Sequence, residues 1–339
     1  MECPGVDRHL KFWLTRNMRK RFGGRFLYFL LTIFGVTFFI YFSLFILRVK
    51  SAQAGPGLFH ELTVGYIAWW GDLLRLDLGM SLKDHRPVIA KILERFPATL
   101  ELNALTLIFS FLVAVPAAIS AIYFKNRFCA RFFSFLSLNL FSIPNFWIAL
   151  VLSIFFGFQL GEITQQLFGF SFRFPISGMR SLEMVLNKGA YSTWEIFQDR
   201  VFHLILPVIC SSLFNIALIY KFFYSELLKI MTREYIVAAR ARGIPEWEII
   251  TRHAGKNAIF PLITVFSLLI PSLLSSNFVI ETIFSWPGIG RLGYDAILAR
   301  DYPLVLGLAL FTTMIVIGTN LLIEAFYFYF NPLLREGER

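Results

Sequence analysis

The sequence predicts an all-α membrane protein: six transmembrane helices, with an external helical segment between the first and the second. Three observations predict it. Hydrophobic residues are 57% of the 339 and charged ones only 16%, against roughly 25% charged in soluble domains. Six apolar stretches each approach the length of about twenty residues that spans a hydrocarbon layer about 30 Å thick, and a backbone in lipid satisfies its hydrogen bonds as helix. Arginine and lysine, which give a formal charge of +10, gather beside those stretches and form no single basic-aromatic face. Lipid headgroups are therefore the expected partner of this charge, and nucleic acid is not.

Residues 1–25 form a basic tail, with Arg16, Arg19, Lys20, Arg21 and Arg25 preceding the first span at 26–47. The charge order is that of a signal sequence. The apolar run is too long for a cleaved one and no small-residue cleavage site follows, so an uncleaved signal-anchor is expected. Residues 48–99 form the external segment. Gly55-Pro56-Gly57 makes a turn, and Ile67, Trp69, Trp70, Leu73 and Leu74 suggest an amphipathic helix with its tryptophans at headgroup depth. Pro87 opens a second helix whose Val88, Ile92 and Phe96 share a face until Pro97 stops it. This segment either packs on the membrane surface or offers a platform to an external delivery protein.

Residues 100–328 hold five further spans, at 100–124, 132–158, 203–223, 259–280 and 303–328, and residues 329–339 form a tail. An even number of spans puts both termini on one side. Basic residues are densest in the N-terminal tail, in the Lys125, Arg127, Arg131 connection and between Lys221 and Lys256. The positive-inside rule makes these cytoplasmic; the basic Arg48–Arg95 segment weighs less as a long translocated loop. Between the third and fourth spans, residues 159–200 are charge-balanced, with Gly161, Gly169, Gly178 and Gly189 breaking any long element.

The longest polar interruption of the second half is the loop 229–258, continuing to Pro261. Thr232 is placed to cap a short helix with Glu234 in its first turn. Gly243 ends that helix and Pro245 begins the next, so two short helices should meet at an elbow. Ile236, Ala239 and Ala241 keep the first helix small and close-packing. In the second, Trp247, Ile250 and Ala254 fall at three- and four-residue steps while Glu246, Arg252 and Lys256 point elsewhere. The elbow suits either a docking element for a partner or a solvated cytoplasmic connector.

Within the spans, Asn103, Asn139, Asn145, Asn215, Asn277, Asn320 and Glu324 are expensive residues, expected to face the bundle and serve interhelical hydrogen bonding or substrate contact. Pro144, in Ser142-Ile143-Pro144-Asn145, frees backbone groups in mid-span, as do Pro116, Pro207 and Pro271. Such breaks either line a path or shape packing. Gly288-x-Gly290-x-x-Gly293 has the letters of a dinucleotide fingerprint, but it follows Trp286-Pro287 at a span end, not a strand, and an external re-entrant turn is expected. No Gly-x-x-x-x-Gly-Lys-Ser/Thr phosphate loop, Gly-x-Ser-x-Gly elbow or His-Glu-x-x-His occurs. Cys3, Cys129 and Cys210 suggest neither a disulfide framework nor a zinc site.

Three strings carry a resemblance to a known family. Ala238-Ala239-Arg240-Ala241-Arg242-Gly243, with His253-Ala254 and Asn257-Ala258 before Pro261, resembles the "EAA" loop of permease subunits of ATP-binding-cassette importers, in its dipeptide/oligopeptide/nickel branch. Val237 stands where that motif has its glutamate, and His253 to Lys256 where it has Ile-x-Leu-Pro. DLGMS (Asp77 to Ser81) followed by RPVIAKILERFPATLEL (Arg86 to Leu102) resembles the B-type subunit of the peptide permeases, and so does ETIFSWPGIG (Glu281 to Gly290) with DAILARDYP (Asp295 to Pro303). The resemblance implies a type I importer permease fold in a bacterial inner membrane. It implies a second permease subunit, two cytoplasmic ATPase subunits that carry ATP and magnesium, an external solute-binding protein, and no cofactor on this chain.

On this resemblance Glu234, Ala238, Ala239, Arg240, Gly243, Pro245 and Trp247 form the ATPase-docking loop. Pro144, Asn145, Asn215, Asn277, Glu281, Pro287 and Gly288 are candidates for the path or its gate. Di- and oligopeptides are the expected cargo; nickel chelates, glutathione or another small solute are alternatives within the family, and an ATP-independent channel or scaffold is the alternative outside it.

Overall fold

A computed structural model describes residues 31–43, 46, 58–75, 77–124, 127–187, 191–274 and 278–330. The expectations for the N-terminal tail, the Gly55-Pro56-Gly57 turn, Lys125, Gly189, Asn277 and residues 331–339 lie outside them. Regular structure among the described residues is helical, apart from one isolated bridge between Met80 and Pro87. Among the described residues, four helices are long and apolar enough to cross a membrane: Val88–Tyr123, Asn145–Phe168, Thr193–Met231 and Tyr302–Ile323. The chain divides into two compact units, residues 1–89 with 300–318, and residues 90–299 with 319–339.

In the first unit, α1 (Leu31–Ser43) and α2 (Leu58–Leu74) are joined by aromatic packing around Tyr66. Its hydroxyl lies 2.9 Å from Thr37 Oγ1 and donates to the Phe34 carbonyl at 3.1 Å, and its ring stands edge-on to Phe34 and Phe38. Tyr66 therefore marks the packed face of α2, while Ile67, expected on the apolar face of an amphipathic helix, is exposed. The Asp77–Ser81 string is a loop whose Gly79 adopts φ 78°, a conformation that glycine takes without strain. Ser81 Oγ donates to the Asp301 carboxylate, and the Leu82 N–H donates to its other oxygen at 3.0 Å. Both Ser81 and Asp301 are buried, so this charge is held by hydrogen bonds instead of water.

In the second unit, α3 (Val88–Tyr123, 36 residues) runs straight through Pro97 and Pro116. Pro97 does not stop it. A proline inside a helix removes its own N–H bond and crowds one carbonyl, a cost of about 3 kcal/mol that surrounding packing absorbs here. At about 1.5 Å per residue α3 is roughly 54 Å long, so the expected external helix and second span are one element. The expected third span is instead broken: α4 (Arg127–Ser142) ends and α5 (Asn145–Ile154) begins with Pro144 at its N-cap. Pro144 takes ψ 134°, which no helix continues through, so it separates two helices where a kink was expected.

The chain then winds through a π turn (Phe155–Gln159) into α6 (Leu160–Phe168), so Gly161 lies inside a helix and breaks nothing. A strap, residues 170–178, follows Gly169 and lies back along α5 and α6. The wider π turn leaves the Phe156 carbonyl to accept from the Phe174 N–H at 3.1 Å, and Gly178 N–H donates to Phe284 O at 2.9 Å. Gly157 and Gly161 make room for it: an added Cβ would sit 2.4 Å from Ile176 Cγ2 at the first and 2.5 Å from Arg173 Cγ at the second.

After α7 (Leu182–Leu186), α8 (Thr193–Met231, 39 residues) opens with a capping box between Ser192 and Glu195. Its inner face supplies Ile219, Tyr220, Phe223 and Leu227 to the main core. Ala114 and Ala118 of α3 and the helices after residue 233 complete that core. Asn139 and Asn320, expected to face the bundle, are exposed in this chain, and Asn139 spends its amide on its own helix, on Phe135 O at 2.7 Å. The side chain of Glu324 lies outside the described set.

Replacing Gly157 by Leu should lift the strap from α5, at a cost of about 1–3 kcal/mol for the overpacking. Limited proteolysis of the purified protein is expected to cut faster within residues 170–178 in G157L than in the wild type.

Candidate functional site

Two constellations carry the residues singled out by the sequence. The first is the elbow. Thr232 does not cap the helix that follows; it closes α8, its hydroxyl donating to Lys229 O at 2.8 Å. The N-cap of α9 (Glu234–Ala241) is Arg233, in an extended conformation and without a side-chain cap. The other end is built as expected. Gly243 takes φ 76°; its N–H donates to Arg240 O at 2.9 Å and the Ile244 N–H to Ala239 O at 3.3 Å, the two bonds of a Schellman ending. Ile244 packs into the same core as Ala239, the hydrophobic contact that goes with this ending.

Pro245 then caps a single turn, α10 (Glu246–Glu248), which passes through a π turn (Ile249–Ala254) into α11 (Gly255–Leu274). The elbow's second arm is thus the first turn of a long apolar helix and not a free short helix. The π winding also rotates the side chains: Ile250 and Ala254 are fully buried while Trp247 is 54% exposed, so these three do not share a face.

The two arms are stapled. Arg240 forks onto Glu246, Nε to Oε2 at 3.1 Å and Nη2 to Oε1 at 2.7 Å, and this hydrogen-bonded pairing lifts the guanidinium above its ordinary pKa. Asn257 Nδ2 donates to Tyr235 Oη at 2.8 Å, tying α9 to α11. The Trp247 ring stands edge-on to Tyr123 at the end of α3, 5.5 Å between centroids. Of the expected docking residues, Glu234, Ala238, Arg240, Gly243, Pro245 and Trp247 are at the surface or partly so. Ala239 is not: it is 7% exposed and packs inward on the main core. Its small side chain serves this chain's own packing, so it offers no contact to another molecule. Ala241, expected to pack closely, is exposed. The outward apolar surface is Tyr235, Val237, Ala238 and Trp247.

The second constellation surrounds Glu281, on α12 (Phe278–Ile283). Its carboxylate is fully buried at the N-terminus of α13 (Ile289–Leu298). The cap residue of α13 is Gly288, which has no side chain to satisfy the helix's first N–H groups. Glu281 and Thr99 do so from other helices. Thr99 Oγ1 donates to Glu281 Oε1 at 2.8 Å and accepts from Ile289 N–H at 2.8 Å, Arg291 N–H donates to Oε2 at 3.1 Å, and Gly290 N–H also bonds the carboxylate. Burial pushes the Glu281 pKa up, while the Thr99 hydroxyl and the two N–H groups pull it down. A Cβ on Gly288 would lie 2.3 Å from the carboxylate, so this glycine is required by the close approach. Trp286, fully buried, donates from Nε1 to Ala98 O at 2.8 Å and locks the same loop to α3.

Of the residues expected in a path or gate, Glu281, Pro287 and Gly288 are brought together here. Pro144 and Asn145 lie at the α4–α5 break. Asn215 is buried on α8, its amide 3.4 Å from Ser211 O. Thr99, Trp286, Ser81 and Asp301 were missed. The available signal was a polar stripe on α3, Thr99, Asn103, Thr106 and Ser110 at steps of three and four, all buried.

A bundle of long apolar helices, interrupted by a stapled elbow and closed by a buried carboxylate cap, fits an integral membrane protein. Residues 104–336 match the family described as binding-protein-dependent transport system inner membrane component, and this chain belongs to that family. It is a multi-pass inner membrane protein. It is 33% identical over 293 residues to the dipeptide transport system permease protein DppB of Escherichia coli, covering 85% of each chain. It is 31% identical over 280 residues to the oligopeptide transport system permease protein AppB of Bacillus subtilis, covering 81% of each. To the di/tripeptide transport system permease protein DppB of Pseudomonas aeruginosa it is 33% identical over 281 residues, covering 82% of each.

Thr99→Val should strip the α13 N-terminus of one acceptor and Glu281 of one donor, lowering stability by about 2 kcal/mol. Glu281→Ala should cost at least as much, and the double variant less than the sum, because the two share one network. Thermal unfolding of the detergent-solubilised protein checks both.

Proposed function

We propose that this chain is a permease subunit of an ATP-driven importer that carries di- and oligopeptides. The observation that supports this most is the likeness, at about a third identity over more than four fifths of the chain, to proteins named for dipeptide and oligopeptide transport. In this reading six spans cross the inner membrane with both termini in the cytoplasm. An external binding protein delivers the peptide, and a second permease subunit completes the path. Two ATPase subunits, which hold ATP and magnesium, dock on the 229–258 loop.

The elbow is then a lever. Its outward face, Tyr235, Val237, Ala238 and Trp247, meets the ATPase. Its inward face, Ile236 and Ala239, packs on the same core as α3, α8 and α11. Because α10, the π turn and α11 follow one another without a loop, a displacement of the elbow is delivered directly to a long apolar helix. Nucleotide-driven closure of the ATPases thereby biases a two-state bundle. Where the motif of the family has glutamate, the exposed Val237 makes that part of the contact apolar.

Cells lacking this chain should lose uptake of a labelled dipeptide and regain it when the chain is restored. Unchanged dipeptide uptake, with loss of nickel-chelate or glutathione uptake instead, would move the cargo to those alternatives. In the reconstituted assembly Gly243→Pro, which cannot adopt φ 76°, should lower peptide-stimulated ATP hydrolysis about tenfold, the effect of ~1.4 kcal/mol on a two-state equilibrium. Normal stimulation in that variant would contradict the lever.

A further inference from the structure

The first turns of α8 are inside out for a helix end in water. Every charged residue there is engaged with the protein: Glu195 in the capping box with Ser192, Asp199 with the Ser181 hydroxyl and N–H, and Arg200 in a fork onto Glu101 of α3. Facing outward instead are Trp194, Phe197 and Val201, at steps of three and four, exposed by 64%, 55% and 40%. The Trp194 and Phe197 rings are stacked, 5.7 Å between centroids. The short helix α7, which the Ser181–Asp199 bonds hold to α8, repeats the pattern, with Leu182, Val185 and Leu186 exposed by 71%, 47% and 71%.

We infer that α7 and the first two turns of α8 form an interfacial anchor, whose outward face is embedded in the lipid headgroup and upper acyl layer at the membrane surface opposite the elbow. Three observations select lipid as the occupant. The apolar stripe continues at four-residue steps through Ile205, Ile209 and Leu213, half-buried on a membrane-length helix. From Val201 to Tyr220, between Arg200 and Lys221, α8 carries no Asp, Glu, Lys or Arg. At about 1.5 Å per residue that stretch covers roughly 30 Å, the hydrocarbon thickness. Phe197 and Trp194 then lie roughly 6 and 10 Å beyond its edge along the axis, around the level at which tryptophan collects at membrane surfaces.

Polar residues are interleaved with the apolar ones at this level, Glu183 on α7, Asn187 at its C-cap and Gln198 on α8, all exposed. A dry protein contact would leave them unpaired, whereas a headgroup layer hydrates them. The anchor also gives the Asp199–Ser181 and Arg200–Glu101 bonds a purpose: they draw the charges away from the apolar boundary and fix the depth of α8.

The test places a bimane fluorophore at Leu186→Cys and, separately, at Phe197→Cys, in the full chain assembled with its co-purifying subunits in phosphatidylcholine–phosphatidylglycerol vesicles, with Cys3 and Cys129 replaced by Ser and the buried Cys210 kept. A control label sits at Ser225→Cys, an exposed position at the opposite end of α8 and outside the 229–258 loop. Lipid carrying a nitroxide near the top of its acyl chain is expected to quench both anchor labels about twofold or more beyond quenching by aqueous iodide. The control label should show the reverse order. Iodide quenching without lipid quenching at both anchor positions would overturn the proposal in favour of a water-exposed face. Protection from both quenchers, with photocrosslinks from a benzophenone at Leu182→Cys to a protein subunit, would overturn it in favour of a protein-covered one.

Discussion

A buried backbone N–H or carbonyl left without a partner costs several kcal/mol, and three departures from regular helix among the described residues show how that cost is met. Where α5 widens into a π turn, the Phe156 carbonyl is taken up by Phe174 of the strap. At the start of α13, where Gly288 offers no side chain, Thr99 and Glu281 take up three first-turn N–H groups. At the end of α9, the Schellman bonds satisfy the carbonyls of Ala239 and Arg240. Each solution also joins elements distant in sequence: the strap to α5, α3 and α12 to α13, α9 to the core. Satisfying the backbone and assembling the bundle are the same event.

That coupling explains why glycine sits where it does. Gly243 supplies a left-handed turn, whereas Gly288 supplies absence of volume, since its Cβ would occupy the place of the Glu281 carboxylate. The buried carboxylate in turn suits the positive end of α13, where charge-assisted N–H bonds are strongest. At the elbow the surface is spent differently. The Arg240–Glu246 fork and the Asn257–Tyr235 bond hold the angle between the arms from outside, so the inward residues can stay small and apolar. The lever proposed for this elbow needs such stiffness, because motion at its tip is lost if the angle yields.

What was legible in the sequence is what local rules determine. Gly243 and Pro245 announced the elbow, because a left-handed C-terminal residue followed by proline is a short-range signature. The membrane class followed from apolar length, and three strings identified the family. Thr232 misled because a threonine beside a helix start also sits beside a helix end, and the boundary between α8 and α9 is a single extended residue, Arg233. Pro97 misled because tertiary packing overrides a proline in a helix this long. The face shared by Trp247, Ile250 and Ala254 failed because a π turn changes the period, which no spacing rule contains. The Glu281 cap was beyond local reading altogether: its donors and acceptor are separated by up to 182 residues, and only the polar stripe on α3 hinted at them.

The outward face of the elbow is the proposed place where a nucleotide-driven partner engages this permease. The most direct measurement is a mild-detergent pull-down of the tagged chain from native membranes, with mass identification of what accompanies it, for the wild type and for Ala238→Asp. A second multi-span subunit is expected with both, and an ATPase carrying a phosphate loop with the wild type alone, since a charge at an exposed apolar contact blocks docking without disturbing the core. Equal recovery of the ATPase with both chains, or recovery of the folded wild-type chain with no partner, would contradict it.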